Sequence, residues 1–456
     1  FDIEFDEGAG FDDTDPRNAY GPYFQRQRVE IYHTYAKSLV ERGLAYPCFC
    51  TEEELDKVRA KQEEDKVLTG YYGEYATCRN LSYEEIEANI KAGKPYVLRL
   101  RSQGSPDKEI TFVDAIKGEI KLPENIHDIV LLKKDGIPTY HFAHAIDDHL
   151  MRTTTVVRGG EWLASAPIHY ELFHLLGFKM PAYAHTAHLM KFDEETGGKR
   201  KLSKRKDPEL SLDYYRKDGY HPYTMKVYLL TLLNSNFEEW HEKFPDKDIN
   251  EFPFSVEKMN QSGALFDKDK LHNICKNELS KLSEEELYDF LYDWARENEP
   301  ENVEKWFGDR EKMLQILRLY MGVGAKRRRK DLMYAKQIFE LISYFFDGES
   351  AEEMDEFKLD EDMVSKILKS YLAKYDHNDD NSVWFNKLKE IADEHGFASD
   401  MKAYKANPEN FKGNVSDIAE AVRIAVTGRA NTPDLWTIVH IMGEEQMTER
   451  IKKHIK

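Results

Sequence analysis

From about residue 220 onward, apolar side chains recur at three- and four-residue intervals, whereas the residues before it interleave short β-rich runs with isolated helical stretches. A recurrence of that kind marks one-sided helices, and strict alternation marks half-buried strands. A chain that changes period once cannot be built around one sheet or one bundle. Its 456 residues also exceed what a single hydrophobic core sustains, so roughly two to four domains are expected. The front part should mix strands and helices, and the back part should be all-α.

In the helical part, Glu285–Asn298, Glu311–Tyr320, Leu332–Phe346 and Met363–Tyr375 carry the period. In the front part, residues 24–43 predict a helix stopped at Gly43. The alternation Tyr96-Val97-Leu98-Arg99-Leu100-Arg101 and the β-rich Ile110–Val113 and Ile129–Leu132 predict strands of an α+β region. Between Thr139 and Met190, the β-like Thr155-Val156-Val157 precedes a helix through Ser165–Leu176 that ends at Gly177. That rhythm belongs to a parallel α/β unit, half of a nucleotide-type fold. No repeat or low-complexity tract interrupts it, and the acid-rich Asp347–Asp362 and Asp376–Asn381 are the expected mobile joints.

No stretch approaches the roughly 18 consecutive apolar residues of a membrane span, and four cysteines with no apolar leader point to a reducing cytoplasm. The chain opens on Phe1-Asp2-Ile3-Glu4-Phe5, an ordered pattern without a Met, so further sequence is expected upstream. A net charge of −19 argues against a protein that coats nucleic acid. Two basic islands, Lys199–Lys206 and Lys326-Arg327-Arg328-Arg329-Lys330, instead suit a partner touched at chosen places.

Within the first island, Lys201-Leu202-Ser203-Lys204-Arg205 follows Thr196-Gly197-Gly198. Two ammonium groups on one mobile loop can meet the charge that develops on a triphosphate when a carboxylate attacks it. The pentapeptide resembles the KMSKS signature of class I aminoacyl-tRNA synthetases. A second, stronger signal is the run from Asp135-Gly136-Ile137-Pro138-Thr139-Tyr140-His141-Phe142-Ala143-His144 to Asp147-Asp148-His149, continued by Val156-Val157-Arg158-Gly159-Gly160-Glu161-Trp162. It resembles the glutamyl-tRNA synthetases, at that family's distance from the lysine loop. A dicarboxylic amino acid needs a guanidinium to grip a carboxylate bidentately, and Arg158 supplies one. The alternative for Arg158 is a buried ion pair with Asp147 or Asp148. Tyr140 is expected to hydrogen-bond the substrate, Trp162 to wall the pocket and His144 to shape it without an acid or base role. His144 stands where the family often has Asn, and Gly160 where it has an acidic residue. No general base is required, because the substrate carboxylate is already an anion.

The resemblance runs along almost the whole chain. Phe5-Asp6-Glu7-Gly8 and Gly21–Arg28 are similar to the family's entry into an inserted acceptor-binding domain, Gly263–Leu271 to its stem-contact domain, and Val422–Trp436 to the end of the bacterial-type anticodon-binding domain. Asp13-Thr14-Asp15 mimics another family triplet but stands on the wrong side of Asp6-Glu7-Gly8, and reads as a turn before Pro16. The implied organisation is a partial Rossmann-type class I catalytic domain (1–35 and 139–195), an inserted α+β acceptor-binding domain (36–138), a lysine-loop and stem-contact domain (196–303) and a helical anticodon-binding domain (304–456). The family's HIGH motif would precede residue 1, so the lysine loop is expected to be half of an ATP site, and this stretch is expected to be inactive alone.

The implied activity is attachment of L-glutamate to tRNA-Glu through glutamyl-adenylate, with ATP and Mg2+ as substrate complex, in a monomer with no membrane partner. Lys201, Ser203 and Lys204 are its expected catalytic residues, with Leu202 and Arg205 completing the ATP contact. A tRNA-binding adaptor without catalysis and a ligase that charges glutamine are the alternatives, and tRNA-Gln is a possible second substrate. Lys326, Arg327, Arg328 and Arg329 are expected either to contact tRNA or to form a solvated helix start. Cys48 and Cys50, with Cys78 further on, are similar to a zinc knuckle that some members carry. Three thiolates suit Zn2+, but a closed site wants a fourth ligand, with Tyr72, Glu74 and Tyr75 as the candidates, and plain reduced cysteines are the other reading.

Overall fold

The computed structural model describes residues 5–9, 18–193, 195–261, 263–346 and 354–456, so Asp13–Asp15 and the front of the expected Asp347–Asp362 joint lie outside the described residues. The chain forms two compact units: one holds the chain up to Leu202 with Leu230–Phe266, the other Ser203–Leu229 with Asp267–Lys456.

In the first unit, the helix Val29–Glu41 buries Tyr32, Ala36 and Leu39, the spacing of a single apolar stripe. That stripe packs with Leu98, Leu100 and Leu131 of a three-stranded antiparallel sheet (Ala45–Cys48, Val97–Leu100, Val130–Leu132) and with Phe142, Ile146, Leu172 and Phe173 from two further helices. A second sheet has the strand order Gly118–Pro123, Glu109–Asp114, Ala182–Thr186, Thr155–Gly159. Its last two strands are parallel and are joined by the helix Ala166–Leu176, which is the expected α/β unit. Pro167 in that helix's first turn and Gly177 at φ 73° after its last residue set its ends. A third, small sheet pairs the hairpin Leu189–Phe192 and Lys199–Lys201 with Ala264–Leu265.

The second unit's described elements after residue 267 are helical, apart from connecting turns. Capping is explicit in the sequence: Ser283 and Glu286 form a capping box on Glu284–Asn298, and Asp309, Asp360 and Asp380 cap the starts of Arg310–Met321, Glu361–Lys374 and Asn381–His395. One continuous core, including Leu291, Leu317, Ile338, Ile367, Ile391, Val422 and Ile438, holds these helices together.

Three expectations need correction. The helix expected over Leu332–Phe346 runs only from Ala335 to Ile342 before tightening into a 3-10 turn. Lys326–Lys330 starts no helix, because Gly322 and Gly324, at φ 67° and 81°, terminate the preceding one and turn the chain into an irregular loop. Nor is Asp376–Asn381 loose: Trp436 Nε1 donates to the Asp379 carbonyl at 3.0 Å, Lys387 pairs with the Asp379 carboxylate, and Asp380 is spent as a cap.

Candidate active site

The second sheet gathers the site. In its parallel pair Arg158 is registered against His185, and registered neighbours on adjacent strands present their side chains on the same face. Arg158 Nε donates to His185 Nε2 at 3.0 Å, Nη1 lies 3.1 Å from His169 Nδ1, and Nη2 reaches the Trp162 carbonyl at 3.4 Å. Three of the five guanidinium donors are thereby committed. One N–H remains on each terminal nitrogen for a carboxylate. The buried-pair alternative is not what forms: Asp147 accepts from Arg28 Nε at 2.8 Å and Tyr32 Oη at 2.7 Å, and Asp148 Oδ2 sits 2.6 Å from His144 Nδ1.

Tyr140 and His144 are one turn apart on the helix Tyr140–Leu150, so they share a face. Their rings stack 5.7 Å apart and nearly parallel, and Tyr140 meets the Trp162 ring at 4.5 Å. His144 Nε2 is 2.8 Å from Tyr183 Oη, and the Tyr183 ring lies under the guanidinium at 4.7 Å. Tyr140 keeps 46% of its surface exposed and Arg158, His144 and Trp162 are half-buried, whereas His169, Tyr183 and His185 beneath them are buried, so the cluster opens on the Tyr140 side. All four expected pocket residues therefore come together. At Gly160, a Cβ would sit 3.1 Å from the Thr186 carbonyl, a tight approach.

Arg158 is the permanent cation of this cluster. Burial, together with the nearby His144 and Arg158, pushes His169 down to about 2. Burial also lowers His141 and His185, so these three imidazoles stay neutral beside the guanidinium. His141, His169, Tyr183, His185 and Asp114 were not singled out in the sequence. One signal for Asp114 was there: Ile110, Phe112 and Asp114 are the inward positions of one alternating strand, and a carboxylate at such a position needs a partner.

In the basic loop, Lys201 is not on the loop but ends a strand, paired with Met190. The hairpin is closed by a left-handed Gly197 and by an Arg200–Asp193 contact of 3.2 Å. Leu202 is buried and its amide donates to the Leu189 carbonyl at 3.0 Å, so its side chain anchors the hairpin. Past the unit boundary, the Ser203 amide donates to Asp207 Oδ2 at 2.7 Å, folding a tight turn that leaves Lys204 and Arg205 exposed.

Cys48, Cys50 and Cys78 hold their sulfurs within 4.8 Å of one another. The fourth group is Tyr71: its hydroxyl lies 3.4 Å from Cys48 Sγ and 3.3 Å from Cys50 Sγ. Tyr72 and Tyr75, two of the expected candidates, instead donate to the Leu68 carbonyl and Asp65. Hydrogen bonds from Cys50 and Cys78 hold Cys48 well below the ordinary thiol value while the bonds with Cys48 and Cys78 raise Cys50, so one thiolate is favoured in the cluster and a divalent cation would have to displace the remaining protons. Burial and the neighbouring thiols push the Tyr71 hydroxyl up, so a metal would have to displace its proton. The residues present fit a zinc ion.

Arg327 and Arg329 line a cavity of about 660 Å³ together with Arg318, Thr437 and His440. No helix among the described residues is long and apolar enough to cross a membrane.

Comparison with known proteins places these features in context. Residues 5–273 match the family of class I tRNA synthetase catalytic domains (E and Q), and residues 286–455 match an anticodon-binding domain. The chain is 52% identical to a glutamate–tRNA ligase of Acetivibrio thermocellus, over 99% of this chain and 82% of that protein. It is 46% identical to one of Clostridium perfringens strain SM101, over 100% and 82%. A crystal structure of a glutamate tRNA ligase from Elizabethkingia meningosepticum in complex with its amino acid matches at a TM-score of 0.72 and 26% identity, over 95% of this chain and 84% of that one.

Proposed function

This chain belongs to the glutamate–tRNA ligases of the class I tRNA synthetases, and from that membership we propose that its Arg158 pocket takes the substrate glutamate. The enzyme attaches glutamate to tRNA, with ATP as the activating substrate and Mg2+ carried on its phosphates. The observation that carries the pocket assignment is Arg158: a guanidinium turned by two neutral imidazoles, with two donors left over and Tyr140 and Trp162 beside it. Arg158 grips one substrate carboxylate, the Tyr140 hydroxyl bonds the substrate, and Trp162 and His144 bound the space. Lys201 and Lys204 stabilise the transferring phosphates, assisted by Ser203, Leu202 and Arg205. The chemistry is positioning and charge stabilisation, since the nucleophile arrives ionised.

The tRNA contact in the helical unit is the loop Lys326–Arg329, whose Arg327 and Arg329 give an acidic protein a local cationic cavity. Aminoacylation of tRNA with glutamate by the full-length protein tests both parts, here and in the predictions below. The Arg327→Glu/Arg329→Glu variant should raise the KM for tRNA about tenfold or more and flatten its salt dependence, with the KM for glutamate unchanged. A tRNA KM equal to the parent's would remove this loop from the interface.

Zn2+ is held by Cys48, Cys50 and Cys78 with Tyr71 as the fourth ligand, a structural ion that ties the strand Ala45–Cys48 to the loop carrying Tyr71 and Cys78. Elemental analysis should find one zinc per chain, and Cys50→Ser should lose it and melt at a lower temperature. A parent protein that is metal-free and indifferent to added zinc would sink this assignment.

A further inference from the structure

Behind Arg158, the hydrogen-bonded chain continues to a carboxylate that the mechanism above does not use. Asp114 ends its strand at an inward position, and neither its side chain nor that of His185 is exposed at all. Asp114 Oδ2 lies 2.5 Å from His185 Nδ1 and also receives the His185 amide at 3.1 Å. Oδ1 receives the amides of Ile116 and Lys117, both at 2.9 Å. Every partner of this carboxylate is a donor. Burial alone would raise the Asp114 carboxyl, but the bonds from His185, Lys117 and Ile116 outweigh it and hold the group below the usual carboxylate range.

An ionised acceptor at Nδ1 fixes the His185 tautomer: the proton sits on Nδ1 and the lone pair on Nε2. Arg158 Nε can only donate, and it lies 3.0 Å from that lone pair. We propose that Asp114 is a positioning residue for substrate binding, which acts through the His185 tautomer to hold the Arg158 guanidinium in the plane that receives glutamate. The proposal rests on the reading of Arg158 as the glutamate-binding cation. A second support exists, since His169 also accepts from Arg158 while bonded at 2.9 Å to His141, so losing Asp114 should cost less than losing Arg158 itself.

Asp114→Asn is the incisive variant because it preserves shape and turns one acceptor oxygen into a donor. The amides of Ile116 and Lys117 demand an oxygen at the Oδ1 position, where the His185 amide also reaches at 3.4 Å, so the NH2 takes the Oδ2 position, faces His185 Nδ1 and leaves that amide only its longer bond. The imidazole then carries its proton on Nε2, directly against the Arg158 Nε–H, as happens when the aspartate of a serine-protease triad is changed to asparagine. The KM for glutamate should rise about tenfold while the KM for ATP stays within about twofold. His185→Gln places a carboxamide oxygen where Arg158 needs an acceptor, without reference to residue 114. In that background Asp114→Asn should add nothing further, whereas a merely structural aspartate would give additive losses and overturn the proposal. Arg158→Lys separates the two levels. If it raises the glutamate KM and Asp114→Asn does not, the proposal fails and the pocket assignment stands; if neither does, the pocket assignment fails and takes the proposal with it. Should Asp114→Asn not fold, His185→Phe against His185→Gln decides: a raised glutamate KM for the first alone supports the proposal, and equal values overturn it.

Discussion

Replacing Arg158 with alanine should raise the KM for glutamate about a hundredfold, with the KM for ATP little changed. Hydrogen bonds to a charged group contribute about 1.5–3 kcal/mol each, and a carboxylate bridging both terminal nitrogens makes two of them. Roughly tenfold for each bond gives the expected size. The variant also strips His169 Nδ1 and His185 Nε2 of the donor they share, in a cluster where both rings are fully buried. Some loss of stability should follow, from acceptors left without a partner. Lysine at this position is no conservative exchange: a point charge cannot satisfy His169, His185 and a carboxylate together. Steady-state aminoacylation at varied glutamate measures the effect, and a KM equal to the parent's would remove Arg158 from the role assigned to it.

How much of this was legible in the sequence depends on the range of the interaction. One-sided apolar spacing and strand alternation are local, and Glu285–Asn298, Ile110–Val113 and Ser165–Leu176 form the elements that their spacing predicts. The change of texture near residue 220 foretold a helical part because period is also a local property, but it set the boundary too early: Leu230–Phe266 belongs to the first unit and carries the strand Ala264–Leu265, and the described elements are all helical only after residue 267. Two expectations turned on partners outside the segment itself. Asp376–Asn381 looks like a solvated acidic turn until Trp436 and His440 close over it. Lys201 looks like part of a loop until the hairpin pairs it with Met190. In the site, motif resemblance named Tyr140, His144, Arg158 and Trp162 because they cluster within two short segments. The residues that orient them, Asp114, His169 and His185, come from three other elements, and no spacing rule joins positions 114, 158 and 185. Tyr71 escaped for a related reason, since turn geometry rather than proximity in sequence decides which tyrosine of Tyr71, Tyr72 and Tyr75 meets the thiols.

Lys204→Ala should lower kcat about a hundredfold or more, with a much smaller change in the KM for glutamate. The basis is the difference between ground and transition states. When a carboxylate attacks the α-phosphorus, negative charge moves onto the departing pyrophosphate, and a cation that meets it there stabilises the transition state more than bound ATP. Groups that meet charge developing in a transition state are typically worth factors of about 100–1,000 each. The local structure gives Lys204 and Lys201 unequal freedom. Lys201 is held by strand pairing and by the buried Leu202 beside it, while Lys204 is an exposed residue inside a turn closed between Ser203 and Lys206–Asp207. Lys201→Ala should therefore act more on ATP affinity, through a cation already in place in the ground state, and Lys204→Ala more on kcat. Because both cations serve one developing charge, the double variant should lose less than the product of the single losses. Full multiplicativity, or a Lys204→Ala enzyme with the parent's kcat, would show that the two lysines do not act on one phosphate group, and the charge-stabilising role would then have to lie with other residues.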